Sequence, residues 1–216
     1  MDHQNHLQGP ADRVVATPNS VATYLRFFWA GVAKSGQTGA IVPSQRFLIE
    51  KMIAPIPETY RGRIIELGAG PGALTLRLAA RCPEARILAC EINPVLARDH
   101  RCNLAGAGLS RRVKLFAGSA ERLLSDLADT GEEKPDFIIS GIPLANLGET
   151  KALALIDSIH QTLGEGGMYI QFQHSLLDRK KVRNSFQNLR TVPVFLNFPP
   201  AVVYYALKQE RVPFGA

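Results

Sequence analysis

Apolar residues recur along this chain with two different periods, and the change of period divides it. Val21, Tyr24, Leu25, Phe28, Trp29 and Val32 are spaced by three and four, which places them on one face of a helix. Ser20 is placed to cap that helix and Gly36 to stop it. Residues 1–18 are polar, hold Gly9, Pro10 and Pro18, and read as a mobile tail. A loop, Gln37–Pro43, leads to a second helix expected from Ser44 to about Ile53 and stopped by Pro55 and Pro57. From Arg63 the pattern becomes short apolar runs alternating with helical stretches. Strands are expected at 64–67, 86–91, 113–116, 136–140 and 167–172. The helices between them are expected at 73–81, 94–105, 120–128 and 149–163.

Five strands separated by helices predict a parallel, doubly wound α/β sheet. The end of the chain departs from that alternation. Thr191–Asn197 and Ala201–Leu207 are β-rich runs joined by Phe198-Pro199-Pro200, a joint short enough only for an antiparallel pair. The sum is a mostly parallel seven-stranded sheet with a C-terminal antiparallel hairpin. That plan resembles the Rossmann-like class I S-adenosylmethionine (SAM)-dependent methyltransferases. The expected organisation is a tail (1–18), an N-terminal helical extension (19–57) that contacts a membrane or acts as a lid, and a catalytic domain (58–216).

The candidate cofactor turn is Glu66-Leu67-Gly68-Ala69-Gly70-Pro71-Gly72, between the first strand and its helix. Glycines let a ligand approach the main chain, and open α/β sheets bind ligands at this end of the first strand. A dinucleotide site shares the Gly-rich turn, but an acidic residue at the strand end would repel a pyrophosphate. Glu66 suits the cationic methionyl part of SAM instead. Glu91, 19 residues after Gly72, can accept hydrogen bonds from ribose hydroxyls, with Ile92 and Asn93 beside it. Ser119 and Ala120, after the third strand, are candidates for adenine contact, although related enzymes commonly carry an acid at the Ser119 position. Ser140 completes the cofactor set.

The acceptor is expected at Ser140-Gly141-Ile142-Pro143-Leu144, at the end of the fourth strand. Adenine N6-methyltransferases use Asn or Asp, then Pro, then an aromatic ring there, and here Ser140 and Leu144 replace both handles. Phe28-Trp29, Thr38-Gly39-Ala40-Ile41-Val42-Pro43-Ser44, the Gly-rich turn, Ser140–Leu144 and Asn197-Phe198-Pro199-Pro200-Ala201 together resemble the small bacterial phospholipid N-methyltransferases. These convert phosphatidylethanolamine stepwise towards phosphatidylcholine. The resemblance runs from about Phe27 to Lys208. The glycine turn is also similar to that of ribosomal RNA adenine dimethyltransferases, and another amino lipid, such as ornithine lipid, is an alternative acceptor. Asn197 and Tyr24 are further acceptor-site candidates, and the rings of Tyr24, Trp29 or Tyr204 are placed to hold a cationic headgroup by cation–π attraction. His174, just after the fifth strand, is a candidate to line the cleft.

Charge fits that picture. The chain carries 25 Lys and Arg against 19 Asp and Glu, a net charge of +6, which favours an anionic partner. The resemblance implies an anionic membrane surface and a phospholipid substrate, with no stable nucleic-acid partner. Leu25, Phe28 and Trp29 are the expected apolar contacts, and Arg179, Lys180 and Lys181 the basic ones. No run approaches the roughly 18 apolar residues of a membrane span, and the first residues lack a signal-peptide core. A cytoplasmic protein peripherally attached to the inner face of the cell membrane is expected. Cys82, Cys90 and Cys102 form no CxxC pair, so neither a disulfide framework nor a metal site is expected.

Overall fold

The computed structural model describes residues 43–197 and 200–209. The expected tail and first helix, with Tyr24, Leu25, Phe28 and Trp29, lie outside the described residues, as do Phe198 and Pro199. The described chain opens with α1 (Pro43–Ile53). Then β1 (Arg63–Leu67), α2 (Ala73–Arg81), β2 (Arg86–Glu91), α3 (Pro94–Gly106), β3 (Val113–Ala117), α4 (Ala120–Asp129) and β4 (Phe137–Ser140) alternate. A 3-10 turn at Leu144–Asn146 leads to α5 (Glu149–Thr162), β5 (Met168–Gln173), α6 (Arg179–Ser185), β6 (Asn188–Val194) and β7 (Ala201–Leu207).

The seven strands lie in the order β3-β2-β1-β4-β5-β7-β6. The first five pair in parallel, while β7 runs antiparallel between β5 and β6. This is the Rossmann-like sheet anticipated from the sequence. Strand alternation splits the core in two. Ile64, Ile87, Ile139 and Ile170 point to one face, against Leu48, Met52 and Ile53 of α1 and Leu74 and Leu78 of α2. Ile65, Ile138 and Tyr169 point to the other, against Leu123 of α4, Leu155 and Ile159 of α5 and Val182 of α6. Sheets buried on both faces need such continuous β-branched runs.

α1 is thus part of the core, and it is tied to α2 by an Arg77–Glu50 ion pair at 2.5 Å. Its residues were expected to belong to an extension, because nothing in their spacing shows which sheet face they cover. The sixth strand also differs from expectation. It runs from Asn188 to Val194 rather than from Thr191 to Asn197, because Asn188 pairs with Leu207 and Val194 with Ala201. Phe195, Leu196 and Asn197 are left to the turn.

Candidate active site

The cofactor turn is built by backbone hydrogen bonds to the strand beside it. Gly68 N–H and Ala69 N–H both donate to the Cys90 carbonyl at 2.9 Å, and Gly72 N–H donates to Ala69 O at 3.1 Å. Gly68, Gly70 and Gly72 have φ of 72°, 55° and 97°, a region that costs other residues strain. The turn leads into the N-terminus of α2, whose partial positive charge suits a carboxylate. From the far side, Asn103 Nδ2 of α3 donates to the Pro71 carbonyl at 2.9 Å.

Glu66 ends up 3% exposed, accepting a 2.5 Å hydrogen bond from the Thr75 hydroxyl. Burial, opposed by the Thr75 hydrogen bond and reinforced by the nearby Glu91 charge, pushes its carboxyl up to about 8. Such a group is held neutral at pH 7 until a cation joins it. Glu91 is 5% exposed and holds the turn directly, accepting from Gly70 N at 2.7 Å and from Asn93 N at 2.8 Å. Next to it Ile92 is 70% exposed, an apolar platform on a polar rim.

Two of the expected cofactor contacts also serve the fold. Asn93 caps α3, its Oδ1 accepting from Val95 N and Leu96 N, and Pro94 occupies the first helical position. Ser119 caps α4, accepting from Arg122 N at 3.3 Å. Ala120 is buried behind it.

Two cavities flank the end of β4. The first is lined by Glu66, Gly68, Ala73 and Leu74 of the turn and α2, and by Gln45, Leu48, Ile49 and Met52 of α1. The second is lined by Gly141, Pro143, Ala145, Asn146, Phe172, Gln173, His174 and Ser175. Gly141 lines both. Its backbone lies against β1, with Gly141 N–H donating to Leu67 O at 2.9 Å, and a Cβ there would stand 3.1 Å from the Gly68 carbonyl. The glycine therefore stands between the two cavities.

The neighbouring candidates are divided between site and scaffold. The fully buried Ser140 hydroxyl accepts from Ile142 N at 3.2 Å. Gln171 Nε2 and Gln173 Nε2 donate to the Ile142 carbonyl at 3.0 and 3.3 Å, so β5 holds the segment in place. Leu144 is fully buried in the core, and Asn197 is buried in the β6–β7 turn. Tyr204, expected as a headgroup ring, is instead fully buried with its hydroxyl donating to the Ser175 carbonyl at 3.0 Å. Phe172 takes the place of an aromatic wall in the second cavity. His174 lines the same cavity, and its Nδ1 lies 2.9 Å from the Pro200 carbonyl. A carbonyl only accepts, so Nδ1 carries the proton and Nε2 is the basic nitrogen.

His100 of α3 has no motif to mark it. It is fully buried beneath the turn, where a Cβ on Gly72 would stand 2.5 Å from its Cδ2. No well-formed hydrogen bond reaches either ring nitrogen. Burial lowers its pKa to about 4, against a weak opposing influence of the Gly70 backbone. A depressed folded-state value gives stability that is present above the unfolded value, near 6.5, and lost as pH falls to about 4. The full difference corresponds to roughly 3 kcal/mol. His100→Gln is expected to flatten the fall in melting temperature between pH 6.5 and 4. An unchanged acid slope would assign that lability to other groups.

Residues 64–167 match the methyltransferase-domain family. This chain carries a SAM-dependent methyltransferase domain. The ornithine lipid N-methyltransferase of Singulisphaera acidiphila is 27% identical over 182 residues, covering 83% of this chain and 91% of that protein. A tRNA1(Val) (adenine(37)-N6)-methyltransferase of Porphyromonas gingivalis is 34% identical over 80 residues, covering 37% of this chain and only 31% of that protein. Among solved structures, an RNA methyltransferase from Salinibacter ruber in complex with S-adenosyl-L-homocysteine matches with a TM-score of 0.56 and 20% identity, covering 81% of this chain and 98% of that one. The match to the methyltransferase domain, together with the Gly-rich turn after β1, gives SAM as the cofactor. The turn suits it: glycines that admit a ligand to the backbone and, in the wall of the first cavity, the buried Glu66 carboxylate, with the exposed Ile92 following Glu91 at the end of β2. Among the described residues no group of three His, Cys, Asp or Glu could hold a metal ion, and the three cysteines are free. No helix among the described residues is long and apolar enough to cross a membrane.

Proposed function

We propose that this methyltransferase acts on the amine headgroup of a membrane lipid, either phosphatidylethanolamine, towards phosphatidylcholine, or an ornithine-type amino lipid. The observation that carries this reading is the second cavity. Its wall offers one aromatic ring, Phe172, with the neutral polar groups of Asn146 and Gln173. The position where an adenine enzyme would place a stacking ring holds Leu144, which is turned into the core. A small amine fits that wall better than a purine. The Singulisphaera relative, aligned over most of both chains, supports an amino lipid as acceptor.

SAM supplies a methyl group on a cationic sulfur. Glu66, Gly68, Ala69, Gly70 and Gly72 would hold its methionyl part, and Glu91, Ile92, Asn93 and Ser119 its nucleoside. With Gly141 between the two cavities, the amine nitrogen would approach the methyl carbon in line. That nitrogen attacks only after its ammonium form has lost a proton. Nε2 of His174 takes that proton, while the Pro200 carbonyl keeps the ring in the tautomer that can do so.

The test is incubation with methyl-labelled SAM and either mixed lipid vesicles or total RNA. Label in an amino lipid is expected, and label in RNA alone would end this reading. His174→Asn keeps a donor for the Pro200 carbonyl but removes the basic nitrogen. It is expected to lower kcat on lipid by about a hundredfold or more while leaving SAM affinity unchanged. An unaltered kcat would return His174 to a purely structural part.

A further inference from the structure

Among the described residues, four of the seven exposed large apolar side chains sit in two short segments. Leu176 and Leu177, 56% and 81% exposed, follow β5. Phe195 and Leu196, 80% and 67% exposed, form the turn between β6 and β7. The two segments emerge at the same end of the sheet. Gln173 pairs with Val202 across β5 and β7, and Val194 pairs with Ala201 across β6 and β7. The His174–Pro200 contact and the hydrogen bond from Tyr204 to the Ser175 carbonyl fasten one segment to the other. His174 and Ser175 also line the second cavity, so Leu176 and Leu177 follow directly on from its wall.

Charge along this stretch of chain is mostly positive, and the exposed acid that meets α6 from another element is Asp157 of α5, which accepts from Ser185 at the far end of that helix at 2.6 Å. Between Gly166 and Gln209 the chain contains a single carboxylate, Asp178. That carboxylate is 1% exposed and paired with Lys181 at 2.7 Å. Lys181, expected as a membrane contact, is therefore turned onto Asp178. Arg179, Lys180 and Arg183 of α6 remain exposed immediately after Leu177. Apolar tips beside cations, with no exposed acid between them, match an anionic lipid surface. Large apolar side chains left in water are otherwise an aggregation hazard.

We propose that the Leu176-Leu177 and Phe195-Leu196 segments dip into an anionic membrane, with Arg179, Lys180 and Arg183 on its headgroups, and set the acceptor cavity against the bilayer. This rests on the lipid reading above for its purpose, though not for its geometry. A lipid amine could then enter the second cavity without leaving the membrane, its acyl chains remaining among the apolar tips.

The experiment places an environment-sensitive dye at Leu177→Cys in the full chain, with the exposed Cys102 replaced by Ser. The control position is Ser125→Cys, an exposed site on α4. Vesicles containing anionic lipid are expected to shift the emission at 177 to the blue and to leave that at 125 unchanged. Neutral vesicles should produce a weaker shift at 177. No shift at 177, or equal shifts at both positions, would overturn the docking. The double variant Leu177→Asp/Phe195→Asp is expected to lose about tenfold or more in vesicle partitioning with SAM affinity intact, because each tip loses the burial of a large apolar side chain. Unchanged partitioning would also overturn it. The two claims separate cleanly: methyl label in lipid with a silent dye at 177 refutes the docking alone. A shifted dye with label only in RNA refutes the acceptor and leaves the membrane contact standing.

Discussion

At pH 7, binding of SAM is expected to release close to one proton, and its affinity should rise about tenfold per pH unit between about pH 6 and 8. The source is Glu66, whose burial holds its carboxyl up to about 8. A cation placed against it favours the charged form, so binding and loss of the proton become one event. Titration calorimetry in buffers of different ionisation enthalpy reads the proton directly. In Glu66→Gln the release should vanish and affinity at pH 8 should drop by about a hundredfold. Stability should move the other way. A raised folded-state value means stability is present below about 4.5 and lost as pH rises through about 8. The glutamine variant without ligand should therefore melt higher than the wild-type protein at pH 8–9, by an amount worth several kcal/mol. Proton release that survives in the variant would show that another group carries the linkage.

Removing Glu91 should damage both binding and folding. Glu91→Ala is expected to cost SAM binding about a hundredfold and to lower stability by about 2–4 kcal/mol. Its two carboxylate oxygens hold the Gly70 and Asn93 amides, and Gly70 lies in the middle of the cofactor turn. Each buried amide left without an acceptor costs about 1–3 kcal/mol. The ribose would lose its acceptor in the same step. Glu91→Gln should fall between, since one amide keeps its oxygen while the other meets an NH2 group. Denaturant titration and calorimetry separate the two effects. A variant that melts normally but binds SAM weakly would limit Glu91 to the cofactor. The reverse would limit it to the turn.

Much of the plan was legible because its signals are local. Ile64-Ile65 followed by three spaced glycines announces a buried strand and a tight turn, and the observed β1 and α2 start and stop within a residue or so of the expected limits. Pairing decides what local signals cannot. Phe195 and Leu196 read as strand by residue type, yet the register of β6 on β7 ends at Val194 and leaves them exposed in the turn. The same limit hid α1: the apolar positions Leu48, Ile49, Met52 and Ile53 do not reveal that they cover the sheet and line the first cavity.

For the candidate site, residue type and spacing along one strand–turn–helix pointed to Glu66, the glycines and Glu91, and the structure brings these together because Glu91 accepts from Gly70 N within the turn. Contacts between distant segments were beyond it. Thr75 against Glu66, His100 beneath Gly72, and His174 on Pro200 depend on helix rotation and strand pairing. So does the division of Ser140–Leu144 into Gly141, which lines both cavities, and Leu144, which is buried in the core. The sequence by itself determined the cofactor chemistry, because that chemistry is written in consecutive residues. Only the tertiary structure decided that Gly141, Phe172 and His174 line one cavity and that the exposed Leu176-Leu177 and Phe195-Leu196 segments emerge at the same end of the sheet, because those residues meet through strand pairing, including the antiparallel return of β7, and are far apart along the chain.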